Sequence, residues 1–232
     1  MSPRGIIYMA FGDNAAKEAA KSIRSLRKSD CNYPVIVVGD TRVSGADFVR
    51  WTGKCPFDGV ERRALRFKAG RVKPHLYGLS PFECTLYLDA DTEIISDITP
   101  GFDLLDRWQM AIAKHPGQTI AQLYNKPLAG WYHNMVERDN TIREWGGDGD
   151  VPYWNSGVIF FRKCAAVETV FRAWSDEWLR WQQWDEQQAL MRAVYKHPLR
   201  VCVLPETWNH PHREKAGIIF HNYGRGAARK AK

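Results

Sequence analysis

No apolar stretch in this chain approaches the roughly 20 residues that a membrane-crossing helix needs, so the sequence offers no candidate span. The N-terminal run Ile6-Ile7-Tyr8-Met9-Ala10-Phe11 is too short for the core of a secretion signal and is followed by no convincing cleavage site. It reads as a buried first strand. Cysteine is sparse and dispersed: Cys31, Cys55, Cys84, Cys164 and Cys202 form no Cys-x-x-Cys pair. An odd, scattered set excludes a disulfide framework and a cysteine zinc site and points to a reducing cytoplasm. Glycine and base are both scarce after the first strand, where Ala10-Phe11-Gly12-Asp13-Asn14 holds one glycine and no cation precedes Lys17. A glycine-rich, basic phosphate loop of the kind a nucleotidyltransferase uses is therefore missing. Internal repeats are absent too, and no linker demands two domains.

What is present is ordinary for a globular protein: 44% apolar and 25% charged residues over 232 positions, enough for one domain with a proper core. The net charge of +7 is uneven. Arg62, Arg63, Arg66, Lys68, Arg71 and Lys73 face only Glu61 in their segment, and Arg213, Lys215, Arg225, Arg229, Lys230 and Lys232 face only Glu214. Such clusters attract a nucleotide phosphate, a nucleic acid or a membrane surface. Residues 227–232 read equally well as a solubilising basic tail, with the domain proper over 1–226.

Strand and helix signals alternate along the first half. Gly5 to Phe11 reads as a strand, and Asp13 or Asn14 caps a helix to about Lys28. Val35-Ile36-Val37-Val38 is a β-branched run suited to a parallel strand covered on both faces. The pattern predicts a helix over about 70–78 and a strand at Leu86–Leu88. It predicts a helix from Thr99-Pro100, with Thr99 as cap, through Trp108, and a strand at Met110–Ala113. Residues 115–154 look irregular, with Trp145-Gly146-Gly147-Asp148-Gly149-Asp150 as a glycine-rich loop. Val158–Phe161 is a strand, followed by helices over about 165–183 and 185–196 and late strands at Val201–Leu204 and Ile218–Phe220. Phe171, Trp174, Trp178 and Trp181 recur at helical spacing and read as core. The alternation indicates an α/β fold with a mainly parallel central sheet flanked by helices.

The chemistry concentrates at Leu86-Tyr87-Leu88-Asp89-Ala90-Asp91-Thr92. In an extended chain, residues two apart share a face, so Asp89 and Asp91 aim at one point beyond a buried strand. Two close carboxylates repel unless a cation lies between them. Hard oxygen ligands suit Mg²⁺ or Mn²⁺ shared with a phosphate substrate. In an open α/β sheet ligands bind beyond the carboxyl ends of the strands. Ala10 to Asp13 and His221, after Ile218-Ile219-Phe220, fall at such ends. His221 is thereby a candidate third ligand.

Four blocks in order then resemble the nucleotide-sugar-dependent glycosyltransferases of the GT-A (Rossmann-like) fold, most closely glycosyltransferase family 8. These are Leu86–Thr92; Trp154-Asn155-Ser156-Gly157-Val158-Ile159; Asp185-Glu186-Gln187-Gln188-Ala189-Leu190; and His221-Asn222-Tyr223-Gly224. The resemblance implies a hexosyltransferase that moves a sugar from a nucleotide-diphosphate donor, UDP-based by expectation, to an acceptor hydroxyl with retention. It implies Mn²⁺ or Mg²⁺ on Asp89, Asp91 and His221, and donor contacts from Ala10, Phe11, Asp13, Lys73, Asp89, Ser156, Gly157 and Arg225. It places Asn155, Asp185 and Glu186 at the reacting sugar. Two departures stand out: the family's Lys-Pro-Trp ending is absent, with Arg225 or Arg229 as substitutes, and Glu186 stands where glutamine is common. An inverting enzyme would instead need a general base from Asp148, Asp150 or Glu186. The acceptor stays open between a saccharide, a protein and a modified DNA base. A sugar-phosphate nucleotidyltransferase and a non-catalytic nucleic-acid-binding protein are the competing classes.

Overall fold

The computed structural model describes residues 4–53, 72–123, 132–147, 149–181 and 186–223. Seven strands form one sheet: β1 (Arg4–Ala10), β2 (Val35–Gly39), β3 (Asp47–Arg50), β4 (Cys84–Asp89), β6 (Met110–Thr119), β7 (Pro152–Arg162) and β8 (Val201–Leu204), ordered β3-β2-β1-β4-β7-β6-β8. Every neighbouring pair is parallel except those of β7, which runs antiparallel to both β4 and β6. A separate two-stranded ribbon joins β5 (Thr92–Ile94) to β9 (Ile219–His221) and sets Thr92 opposite His221.

The period-two alternation of side chains divides the core between the two sheet faces. Ile6, Tyr8, Ala10, Leu86, Leu88 and Phe160 pack with helix α1 (Asp13–Lys28) on one side. Ile7, Met9, Tyr87, Ile159 and Phe161 pack on the other with helices α5 (Ala165–Trp181) and α6 (Glu186–Lys196). Phe171, Trp174 and Trp178 are buried there, as their helical spacing predicts, while Trp181, expected with them, is only partly buried at the end of α5. The architecture is the α/β one expected, a mainly parallel sheet between helices. No described helix is long and apolar enough to cross a membrane.

Several boundaries differ from expectation. Helix α1 is capped by Gly12 at φ 80°, without help from an Asp13 or Asn14 side chain. The expected helix at 70–78 is a single 3₁₀ turn, Lys73–His75, running into a short α2 (Leu76–Leu79); its first two positions lie outside the described residues. Helix α3 (Thr99–Asp103) stops short of Trp108, and the Thr99 N–H donates to Asp97 Oδ1 at 2.9 Å, so the capping side chain is Asp97. The stretch read as irregular contains the rest of β6 and a helix, α4 (Tyr132–Trp145). Its periodicity is hidden because its inward positions are polar: Asn134, Glu137 and Thr141 are all buried. Glu137 and Thr141 accept hydrogen bonds from the fully buried Arg192 of α6.

Candidate metal and donor site

Strand β4 ends at Asp89, and the chain turns at Ala90-Asp91 before β5 begins. The two carboxylates therefore converge through a turn rather than by sharing one face of a strand. A buried hydroxyl chain holds the turn: Thr92 Oγ1 donates to the Asp89 carbonyl at 2.8 Å and meets Ser22 Oγ at 3.0 Å, which in turn meets Tyr8 Oη at 3.0 Å. Because β9 pairs with β5, His221 arrives on the same spot from the far end of the chain. Its Nε2 lies 3.0 Å from Asp91 Oδ1 and 3.6 Å from Asp89 Oδ2. One ligand atom from each of Asp89, Asp91 and His221 falls within 4.8 Å of the others.

The register between β6 and β7 breaks here. Ile112 pairs with Ile159, but Ala113 pairs with Asn155, so Ser156, Gly157 and Val158 bulge from the ladder. Val158 stays paired with Leu88 of β4, which brings Gly157 beside Asp89. A Cβ on Gly157 would stand 2.3 Å from His221 Cε1 and 2.8 Å from Asp89 Oδ2. Bulges commonly re-aim residues next to functional sites; this one lets bare backbone pass against the carboxylate–imidazole cluster.

Lys73 lies beneath the cluster, 5% exposed. Its ammonium is 3.0 Å from Asp89 Oδ1 and 3.1 Å from Glu186 Oε1, and it donates to Ser156 Oγ at 3.0 Å. Burial by itself would lower the Lys73 pKa, but Asp89 and then Glu186 outweigh that and hold it above the ordinary lysine value. Ser156 Oγ donates to Glu186 Oε1 at 2.7 Å, while Gln187 Oε1 accepts the Ser156 N–H at 2.9 Å. Tyr87 donates its hydroxyl to Asp89. Burial, reinforced by the Asp89 charge, raises that hydroxyl's pKa well above its usual value. In α1, Glu18 is raised first by burial and then by the charge of Asp91.

Among the described residues, Asp89 and Glu186 share the buried Lys73 ammonium, while Asp91 faces His221. Two carboxylates and one imidazole, converging within 4.8 Å, fit a hard divalent cation.

The structure brings Lys73, Asp89, Asp91, Ser156, Gly157, Glu186 and His221 into this one site. Ala10 ends β1 beside it, since Met9 pairs with Asp89, and the adjoining Phe11 is buried. Asp13, exposed at the start of α1, lines a shallow hollow of about 240 Å³ with Lys17, Thr41 and Arg42. Asn155 is buried, and its Oδ1 accepts from the Gly157 N–H and from Asn209 Nδ2, both at 2.8 Å. Asp185 and Arg225, together with Arg71, Asp148 and Arg229, lie outside the described residues. Sequence reasoning missed Tyr87, Gln187 and Asn209 as parts of the site. Tyr87 had a signal in its position two residues before Asp89, and Gln187 in its place beside Glu186. Asn209 had none.

No family model matches the sequence, and no curated protein matches it. Solved structures do. The bifunctional glycosyltransferase WbbM, in its apo form, superposes with a TM-score of 0.62 at 15% identity, over 96% of this chain and 46% of that one. The galactosyltransferase LgtC, solved with donor and acceptor sugar analogues, gives 0.56 at 14% identity, over 95% and 87% respectively. The glycosyltransferase GlyE of Streptococcus pneumoniae gives 0.53 at 14% identity, over 98% and 50%. The chain spans about half the length of WbbM and GlyE. These likenesses show a GT-A (Rossmann-like) fold.

Proposed function

We propose that this protein is a metal-dependent glycosyltransferase of family 8 type, moving a sugar from a nucleotide-diphosphate donor, UDP-based, to an acceptor hydroxyl. The observation that carries the reading is the convergence of Asp89, Asp91 and His221 at the carboxyl end of β4, on a fold shared with sugar transferases. Asp89, Asp91 and His221 would hold the cation. When bound, it supplies positive charge to the donor diphosphate and to the leaving group.

The remaining chemistry falls to the chain's own groups. Lys73 pairs with both Asp89 and Glu186 and holds the two carboxylates in place beside the cation site. Ser156 and Lys73 both bond Glu186 Oε1, while Oε2 takes no hydrogen bond among the described residues. That oxygen is available to meet a hydroxyl of the transferred sugar or the face of its reacting carbon, an arrangement that suits retention with Asp185 alongside. Ala10, Phe11 and Asp13 would receive the nucleoside, Ser156 and Gly157 the sugar, and Arg225 the diphosphate. The acceptor is a saccharide, protein or modified-DNA hydroxyl.

The test is a panel of nucleotide sugars incubated with Mn²⁺ and assayed for donor hydrolysis. At least one donor should be cleaved, and Asp91→Asn should lose the Mn²⁺-dependent turnover by roughly a hundredfold or more, as expected when transition-state charge stabilisation is removed. Near-normal turnover in that variant would sink the proposal.

A further inference from the structure

Asn209, fully buried after the 3₁₀ turn Glu206–Trp208, touches neither carboxylate of the site but bonds His221 from behind. Its Oδ1 lies 2.7 Å from His221 Nδ1, its Nδ2 2.8 Å from Asn155 Oδ1, and its carbonyl accepts the Tyr223 hydroxyl at 2.9 Å. The direction of every bond in this chain follows from its far end. The Gly157 backbone N–H can only donate, so the Asn155 atom facing it at 2.8 Å must be the amide oxygen. That oxygen can only accept, so Asn209 presents its NH₂ to it and its own carbonyl oxygen to His221. Nδ1 of His221 must then carry a hydrogen, and in the neutral ring Nε2 presents its lone pair to Asp91 and Asp89. A lone pair 3.0 Å from a carboxylate oxygen is repulsive, and either a proton on Nε2 or a metal cation between the two atoms removes that repulsion.

From this polarity we infer that Asn209 is a positioning residue for the metal ligand His221, fixing both its tautomer and its ring orientation through a relay that begins at the Gly157 N–H of the β7 bulge. The inference rests on the proposed metal site but not on sugar transfer. Partners of this kind orient imidazole ligands and raise their basicity. The relay also gives the bulge a second task, since the peptide that passes beside Asp89 without a side chain sets the ligand's protonation pattern as well.

The test uses the full chain with ¹⁵N-labelled histidine. Long-range ¹H–¹⁵N spectra in Mg²⁺ at mildly alkaline pH should show the His221 hydrogen on Nδ1, with His221→Gln used only to assign the signal among the 7 histidines. Asn209→Leu should move the hydrogen to Nε2 and weaken Mn²⁺ binding, read from the EPR signal of the free ion, by roughly 10- to 100-fold. Asn209→Asp retains an acceptor for Nδ1–H, so it should keep the wild-type tautomer and stay within about threefold of wild-type Mn²⁺ affinity. Its lost bond to Asn155 should appear only as a lower melting temperature. A wild-type hydrogen on Nε2, or equal losses of Mn²⁺ affinity in the two variants, would overturn the inference. A wild type that binds Mn²⁺ with Nδ1 protonated yet cleaves no nucleotide sugar would refute the transferase reading and leave the role of Asn209 standing.

Discussion

A methyl group at position 157 has nowhere to go. The Cβ of an alanine there would sit 2.3 Å from His221 Cε1 and 2.8 Å from Asp89 Oδ2, and neither neighbour is the loose end of a flexible chain. Gly157→Ala should therefore destabilise the fold by about 1–3 kcal/mol, the usual cost of overpacking, and should weaken Mn²⁺ binding by displacing two proposed ligands at once. Thermal melting and a Mn²⁺ titration of the one variant check both; unchanged values in both would show that the close approach is not real. At this scale the sequence was informative wherever chemistry follows from local spacing. Asp89, Asp91, Ser156, Gly157 and Glu186 were legible because each falls in a short motif at a strand end or helix start. Asn209 was not, because its neighbours Trp208 and His210 carry no pattern and its role exists only through contacts with Asn155 and His221.

Helices α4, α5 and α6 are tied by ions rather than by grease alone. Arg192 of α6 reaches Glu177 of α5 at 2.9 Å and Glu137 of α4 at 2.8 Å, and Lys196 pairs with Glu177 and with Glu144. Burial alone would raise the Glu177 pKa, yet the hydrogen bonds from Lys196 and Arg192 hold it below the ordinary value of 4.5. A carboxylate depressed in the folded state contributes stability that is present above its unfolded pKa and is lost as pH falls through the lower folded value. Stability should thus decline on acidification below about pH 4.5. Glu177→Gln should cost about 1.5–3 kcal/mol at neutral pH, because Arg192 and Lys196 each lose a charged hydrogen-bond partner while Arg192 keeps Glu137. It should also flatten the acid slope in melting experiments. A variant with the wild-type slope would mean that other carboxylates carry the acid loss. The same ions explain why α4 escaped detection: a helix that turns Glu137 and Thr141 inward shows no apolar stripe to read. Strand direction was equally hidden, since the apolar run Val158–Phe161 reads the same whether β7 lies parallel or antiparallel to its neighbours.

Across the whole molecule, basic residues dominate the chain while carboxylates gather at its site. The chain carries +7, yet among the described residues the point where β1, β4, the β7 bulge and β9 meet gathers Asp89, Asp91 and Glu186, with Lys73 paired to Asp89 and Glu186. Overall basicity therefore says nothing about where a cation binds, while the α/β alternation, which puts strand ends together, does. The proposed ligands also come from distant parts of the chain, with Asp91 and His221 separated by 130 residues. A cation bound there cross-links the turn after β4 to the β9 end of the chain and binds only the folded state. By mass action, Mn²⁺ at a hundred times its dissociation constant should add about 2.7 kcal/mol of stability. For a chain of this size that is a rise of roughly 5–10 °C in melting temperature. The rise should vanish in Asp91→Asn and persist in a variant altered only in the Arg192 network, because that network lies among the helices and contributes no ligand. A melting temperature that ignores Mn²⁺ in the wild type would mean that these groups hold no divalent cation. The convergence of Asp89, Asp91 and His221 would then be packing rather than a metal centre.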